Sequence, residues 1–223
     1  MDWRCTVPAA DPKEPAENSD TRTRILDATE VIMLEAGYAG VSSRKVAAQA
    51  GLKSKILHYY FSTMDDLFIA AFQRREDEHF TRFAGAAASS APLRGLWSLS
   101  IDAASSKLYL EFNALASHRP KVRDFIARSN TRDRTALTTA LQAVFRNSGI
   151  DAGQFPPDVI ATVIAGMARV FATDKALGTE AGHAGVLRIV DRLLAQIEPQ
   201  SRQPHKGDVA GKDHAGDADA DDQ

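Results

Sequence analysis

Between Val41 and Met64 the chain carries Arg44, Lys45, Lys53 and Lys55 and no acidic residue. Interleaved with these cations stand Ser43, Ser54, His58, Tyr59 and Thr63. Cations hold phosphates, and hydroxyl, imidazole and phenol groups contact phosphates and base edges, so the stretch has the chemistry of a nucleic-acid contact. The alternative is a solvated helix face that is basic by chance. The combination of charge with interleaved His and Tyr weighs against it.

Such side chains act together only if short helices aim them the same way. Ile25, Ala28, Ile32 and Ala36 recur three or four apart and Gly37 supplies a stop, which predicts a helix over 21–36. Ser42 or Ser43 can cap a second helix that turns Val46, Ala47 and Ala50 inward and ends at Gly51. A third is expected over 54–61. Ala47 is small where helices would cross, and Gly51 can take positive φ in the turn. Val46, Leu52, Leu57 and Phe61 then make the small core, leaving Lys53, Ser54, Lys55, His58 and Tyr59 on the outer face, suited to a major groove. Ser62, Thr63, Asp65 and Asp66 offer caps and first-turn acids for a fourth helix running towards Phe83.

These residues resemble the TetR family of regulators. The likeness covers about 21–67 and rests on Ile25-Leu26-Asp27-Ala28, Glu35-Ala36-Gly37-Tyr38, Val46-Ala47 with Ala50-Gly51, Tyr60-Phe61 and Asp65-Asp66-Leu67. It implies a sequence-specific DNA-binding regulator, a repressor by family default, released by a small effector. The double-stranded operator would be near-palindromic, and the homodimer would join through the 157–177 and 184–197 helices. The sequence departs from the family pattern at His58 (commonly Tyr), Met64 (commonly Lys), Lys55 (commonly Gly) and Lys53 (commonly Ser). One phenolic and one cationic backbone anchor are thus exchanged for two lysines.

Beyond the fourth helix, breaks at Pro92, Pro120, Gly149, Pro156, Pro157, Gly178 and Gly182 divide further helices, roughly 92–106, 107–117, 121–147, 157–177 and 184–197. No strand alternation is sustained, so the expected fold is all-α: an N-terminal three-helix head with a helix-turn-helix over 21–66, then a helical regulatory and dimerisation body over 67–198. The 159–172 segment is apolar almost all round and must be covered on more than one side. Val186, Val190, Leu193 and Ile197 form a stripe that fits an intramolecular core or a subunit interface equally well. By the resemblance Trp97, Tyr109, Phe112, Phe125, Met167 and Phe171 would surround a cavity for a largely apolar effector, although core packing accounts for each of them individually.

Glu76-x-x-His79 and Glu180-x-x-His183 offer a rival chemistry, since helical bundles hold di-metal carboxylate centres with two such spacings. Against it, Glu180 and His183 flank Gly182 in an expected loop, and Glu76 and His79 lie in what patterning reads as an exposed charge run. No nucleophile elbow, phosphate loop or zinc-protease motif occurs, so no catalytic residue, metal or cofactor is called for. Residues 1–20, with three prolines, read as a flexible leader, and 199–223, with six aspartates against three Lys/Arg, as a disordered acidic tail. The net charge of −2 over 223 residues confines any basic surface to a local patch. The lone Cys5 and the lack of a signal-like or spanning run predict a cytoplasmic protein.

Overall fold

The computed structural model describes residues 16–104 and 107–198. The acidic tail and most of the leader lie outside the described residues. α1 spans Ala16–Ala36, a single-turn 3-10 helix Tyr38–Gly40, α2 Ser43–Gln49, α3 Ser54–Tyr60 and α4 Met64–Ala87. α5 spans Pro92–Ala104, α6 Lys107–His118, α7 Pro120–Ser148, α8 Pro157–Leu177 and α9 His183–Ile197. Among the described residues there is no strand. α1 begins inside the expected leader, because Pro15 is the last breaker and nothing from Ala16 onward interrupts a helix.

Local chemistry sets the boundaries. Ser42, rather than Ser43, caps α2 by accepting from the Lys45 N–H at 3.4 Å. Thr63 opens α4 with a reciprocal box: its hydroxyl accepts from the Asp66 N–H at 3.1 Å while Asp66 Oδ2 accepts from the Thr63 N–H at 3.0 Å. Gly51 has φ 68°, as the turn between α2 and α3 demands. α7 and α8 each start on a proline and end at Gly149 and Gly178.

The head is packed into the body. Ile25, Leu26 and Met33 of α1, Val46 of α2 and Leu57 of α3 share one buried cluster with Leu67 and Phe68 of α4, Phe112 and Leu115 of α6, and Val122 and Ile126 of α7. A second cluster, around Leu96, Trp97, Leu137, Leu141 and Phe145, is closed by Ala161 of α8 and Leu194 of α9. Polar ties reinforce the first junction. Arg74 of α4 donates to Asp27 and Glu30 of α1, at 2.6 and 2.5 Å. Burial opposes the Arg74 charge, but the hydrogen bonds to Glu30 and Asp27 outweigh it and hold the guanidinium above its ordinary range. From α6, Glu111 Oε2 accepts the Tyr38 N–H at 2.7 Å. Gly37 has φ 73°, a conformation that favours glycine, and a Cβ there would stand 3.2 Å from that carboxylate, so Glu111 would have to give way.

Candidate nucleic-acid interface

The small core of the head decides which side chains face out. Val46, Ala47, Ala50, Leu57 and Phe61 are buried and Leu52 packs beside them, as the spacing predicts. Arg24, which no spacing argument singled out, donates from α1 to the Ala50 carbonyl at the end of α2 and so latches the turn. With Leu57 inward, Lys53, Ser54, Lys55, His58 and Tyr59 are all exposed on one side of α3. Tyr59 is 79% exposed and packs edge-to-face on Tyr60 with centroids 5.3 Å apart.

On α2, Arg44 and Lys45 are exposed and Ser43 is half-buried. Among the nine polar candidates Thr63 has a prior commitment. Its hydroxyl donates to Asp66 Oδ2 at 2.7 Å, so its proton is spent in the α4 cap. Ile56 is a residue the sequence reading passed over. It is an exposed aliphatic chain on α3 between Lys55 and Leu57, of the kind that meets a thymine methyl. The face therefore joins cations, donors and one apolar contact, with no carboxylate among its members.

The body contains a cleft of about 500 Å³ between α4, α5, α6, α7 and α8. Of the six residues expected to surround a cavity, Tyr109 and Phe112 line it. Trp97, Phe125, Met167 and Phe171 do not. Trp97 and Met167 pack in the second cluster, Phe125 meets the edge of Phe72 at 6.1 Å, and Phe171 stacks on His183 at 4.1 Å. Phe72, Leu108 and Leu137 supply apolar wall, but Arg75, Glu76, His79, Arg82, Asp102, Asp133, Arg134, Arg169 and Lys175 join it.

Those charges also revise the reading of residues 74–79 as an exposed run. The Glu76 side chain is only 8% exposed, accepting from the Ser129 hydroxyl at 2.6 Å and pairing with Arg132 at 3.2 Å. His79 Nε2 lies 2.7 Å from Asp133 Oδ1, and His183 Nε2 lies 2.9 Å from Asp174 Oδ2, while Glu180 is exposed in the loop before α9. Three of the four residues of the di-metal alternative thus have separate partners, and the fourth, Glu180, lies exposed in the loop. Among the described residues no three His, Cys, Asp or Glu side chains converge on a possible metal position.

Part of the body remains uncovered. Val159, Val163 and Val170 of α8 and Ile189 and Leu193 of α9 are between 49% and 59% exposed, whereas Leu187, Val190 and Leu194 turn into the second cluster. The structure thus resolves the α9 stripe into an inward and an outward side. No helix among the described residues is long and apolar enough to cross a membrane.

Comparison with known proteins agrees with this geometry. Residues 25–71 match the family described as bacterial regulatory proteins, tetR family. Over 57 residues the chain is 39% identical to the HTH-type transcriptional regulator PksA of Bacillus subtilis (strain 168), a match that spans 26% of this chain and 28% of that protein. Solved structures resemble the chain over most of its length. Salmonella enterica GusR aligns at 16% identity with a TM-score of 0.66, covering 80% of this chain and 95% of that one. A transcriptional regulator from Rhodococcus sp. Rha1 aligns at 20% identity and a TM-score of 0.61, covering 79% and 95%. A TetR transcription regulator from Haloarcula marismortui gives 19% and 0.61, covering 80% and 97%. At these identities the structures establish a shared fold.

Proposed function

From the match of residues 25–71 to the tetR family of bacterial regulators, we propose that the chain is a regulator of that family, acting as a homodimer that binds a near-palindromic double-stranded operator and releases it when a small molecule occupies the body. The carrying observation is the outer face of α3: Ser54, Lys55, Ile56, His58 and Tyr59 are exposed on a seven-residue helix whose other side is sealed by Leu57, with Lys53 exposed at its N-cap. Such a helix enters a major groove, with side chains reading base edges while Arg44 and Lys45 hold phosphates. Lys53 stands exposed at the N-cap of α3, where its ammonium group can reach a phosphate.

A second copy suits the uncovered side of α8 and α9, because apolar chains so exposed on two neighbouring helices gain by mutual burial. Two heads related by a two-fold axis then meet half-sites separated by about one helical turn, ~34–36 Å, or a multiple. Repression follows if the operator overlaps a promoter, and the protein acts in the cytoplasm with its DNA. No residue is assigned a catalytic step.

The route from body to head is double. α4 enters the head directly, and α6 carries Tyr109 and Phe112 on the cleft and Glu111 and Lys107 on the head, the latter donating to the Leu34 carbonyl. A ligand that shifts α6 therefore shifts the seat of the 3-10 turn, and by linkage DNA changes ligand affinity by the same factor. The test is an unbiased selection of bound duplex fragments with purified protein. Inverted half-sites are the expected result. Enrichment of only asymmetric or single-stranded targets would overturn the reading.

A further inference from the structure

The cleft in the body has an unbalanced charge pattern, and from it we infer the class of its ligand: a small organic anion, a carboxylate carried on an aromatic or alkyl body, anchored by Arg169 and Arg134. The inference rests on the reading of the body as an effector site.

Every carboxylate that lines the cleft is already engaged. Glu76 is held by Arg132 and Ser129, Glu78 by Arg75 at 3.0 Å, Asp102 by Arg82 at 2.5 Å and Asp133 by His79. A cationic ligand would have to compete with these partners for each acid. Arg134, Arg169 and Lys175 line the same cleft, and among the described residues none of the three has a carboxylate within ion-pair distance. Arg169 Nε donates to the Tyr109 hydroxyl at 3.2 Å, which sets the plane of the guanidinium and leaves its two terminal nitrogens to donate elsewhere. Arg134 makes one long contact, 3.5 Å to the Thr162 hydroxyl. A guanidinium with its fork free matches a carboxylate in two parallel hydrogen bonds.

The rest of the wall selects for a body attached to that anion. Phe72 and Phe112 meet edge-to-face at 5.1 Å, with Leu108 and Leu137 also lining the cleft. A volume of about 500 Å³ lies within the range of small-molecule sites and exceeds what a bare inorganic anion would fill. Charge at the rim and aromatic wall within together describe an amphipathic acid rather than phosphate alone.

The test is calorimetric titration of the full-length protein with hydrocinnamate and naphthylacetate, the primary amides of both, phenylpropylamine, and inorganic phosphate. The acids should bind at least roughly tenfold more tightly than their amides, a difference of about 1.4 kcal/mol. The amine and phosphate should be weaker still. Arg169→Gln, checked for an unchanged melting profile, should bring the acids down to the affinity of the amides and leave the amides unaffected. Arg134→Gln should act in the same direction. Amide, amine or phosphate binding as tightly as the acids overturns the inference, as do acids that fail to bind or that ignore both substitutions. Operator affinity is measured alongside. Acids that bind through Arg169 without altering DNA affinity would support the ligand class while removing the effector role, and a neutral or cationic compound that binds the cleft and releases DNA would do the reverse.

Discussion

Lys55, His58 and Arg44 differ in what they can reach, and that difference separates their effects. Lys55 and His58 project from the outer face of α3, the helix proposed to enter the groove, whereas Arg44 lies in the first turn of α2. Replacing Lys55 or His58 by Ala should alter preference at one position of the operator, by roughly 1–3 kcal/mol for a well-placed base contact. Arg44→Ala should weaken all duplexes alike and flatten the salt dependence by about one unit of log–log slope. Binding to a library of single-position operator variants at several salt concentrations checks both. Uniform loss from Lys55→Ala with altered preference from Arg44→Ala would reverse the assignment. This face was legible in the sequence because Gly51 and Leu57 fix the rotation of α3, after which every polar neighbour must point out. Ile56 was not legible, since an apolar residue beside an apolar core position carries no sign of its own exposure, and Arg24 was hidden because a long side chain reaches a carbonyl that is distant in sequence.

At the scale of the element, the start of α4 is where the head meets the body, and the Thr63 box is joined there to α7: Lys121 pairs with Asp66 at 2.6 Å and Arg119 with Asp65 at 2.5 Å. Thr63→Ala removes a cap and should cost about 1 kcal/mol, or about 2–4 °C of melting temperature in a chain of this size. The hydrogen bond from Lys121, and then that from Thr63, holds the Asp66 carboxyl below its usual range. A lowered value in the folded state means stability that is present above the ordinary carboxylate range and lost as pH falls through the lowered value. The gap in melting temperature between the protein and Asp66→Asn should therefore be largest near neutrality and close in acid, and a gap that widens in acid would contradict this role. On α6, Glu111→Ala strips the Tyr38 N–H of its acceptor and should cost about 1–3 kcal/mol. In paired titrations with and without ligand it should also shrink the effect of ligand on DNA affinity. Helix order was legible throughout because prolines, glycines and caps mark the ends. The cavity was not: periodicity shows that Trp97, Phe112 and Met167 turn inward, but only the crossing of α4, α6 and α7 decides that Phe112 lines a space while Trp97 and Met167 fill one.

For the whole molecule, the proposed dimer would join through the apolar side of α8 and α9, which would then decide whether one head or two approach the DNA. Val163 and Leu193 stand about half exposed in a single copy although their neighbours Ala161 and Leu194 are buried, so the two helices have an inner side already satisfied and an outer side without a partner. Gly166 lies on that outer side of α8 together with Val159, Val163 and Val170, and nothing comes within 4 Å of the position a Cβ would take there. A mid-helix glycine costs roughly 0.5–1 kcal/mol relative to alanine, a cost recovered where a second helix comes close. In a two-fold dimer each substitution is counted twice, so Leu193→Glu would bring two carboxylates into the seam without touching the core of either copy. The unmodified protein should sediment as a dimer, and Leu193→Glu and Val163→Glu as monomers with unchanged helicity. Their operator affinity should fall by the contribution of one head, and their footprint should lose its two-fold symmetry while the α3 contacts within the remaining half-site persist. Dimers that survive both substitutions would place the subunit contact elsewhere, and a monomeric parent that still protects two half-sites would mean that the DNA, rather than α8 and α9, brings the heads together.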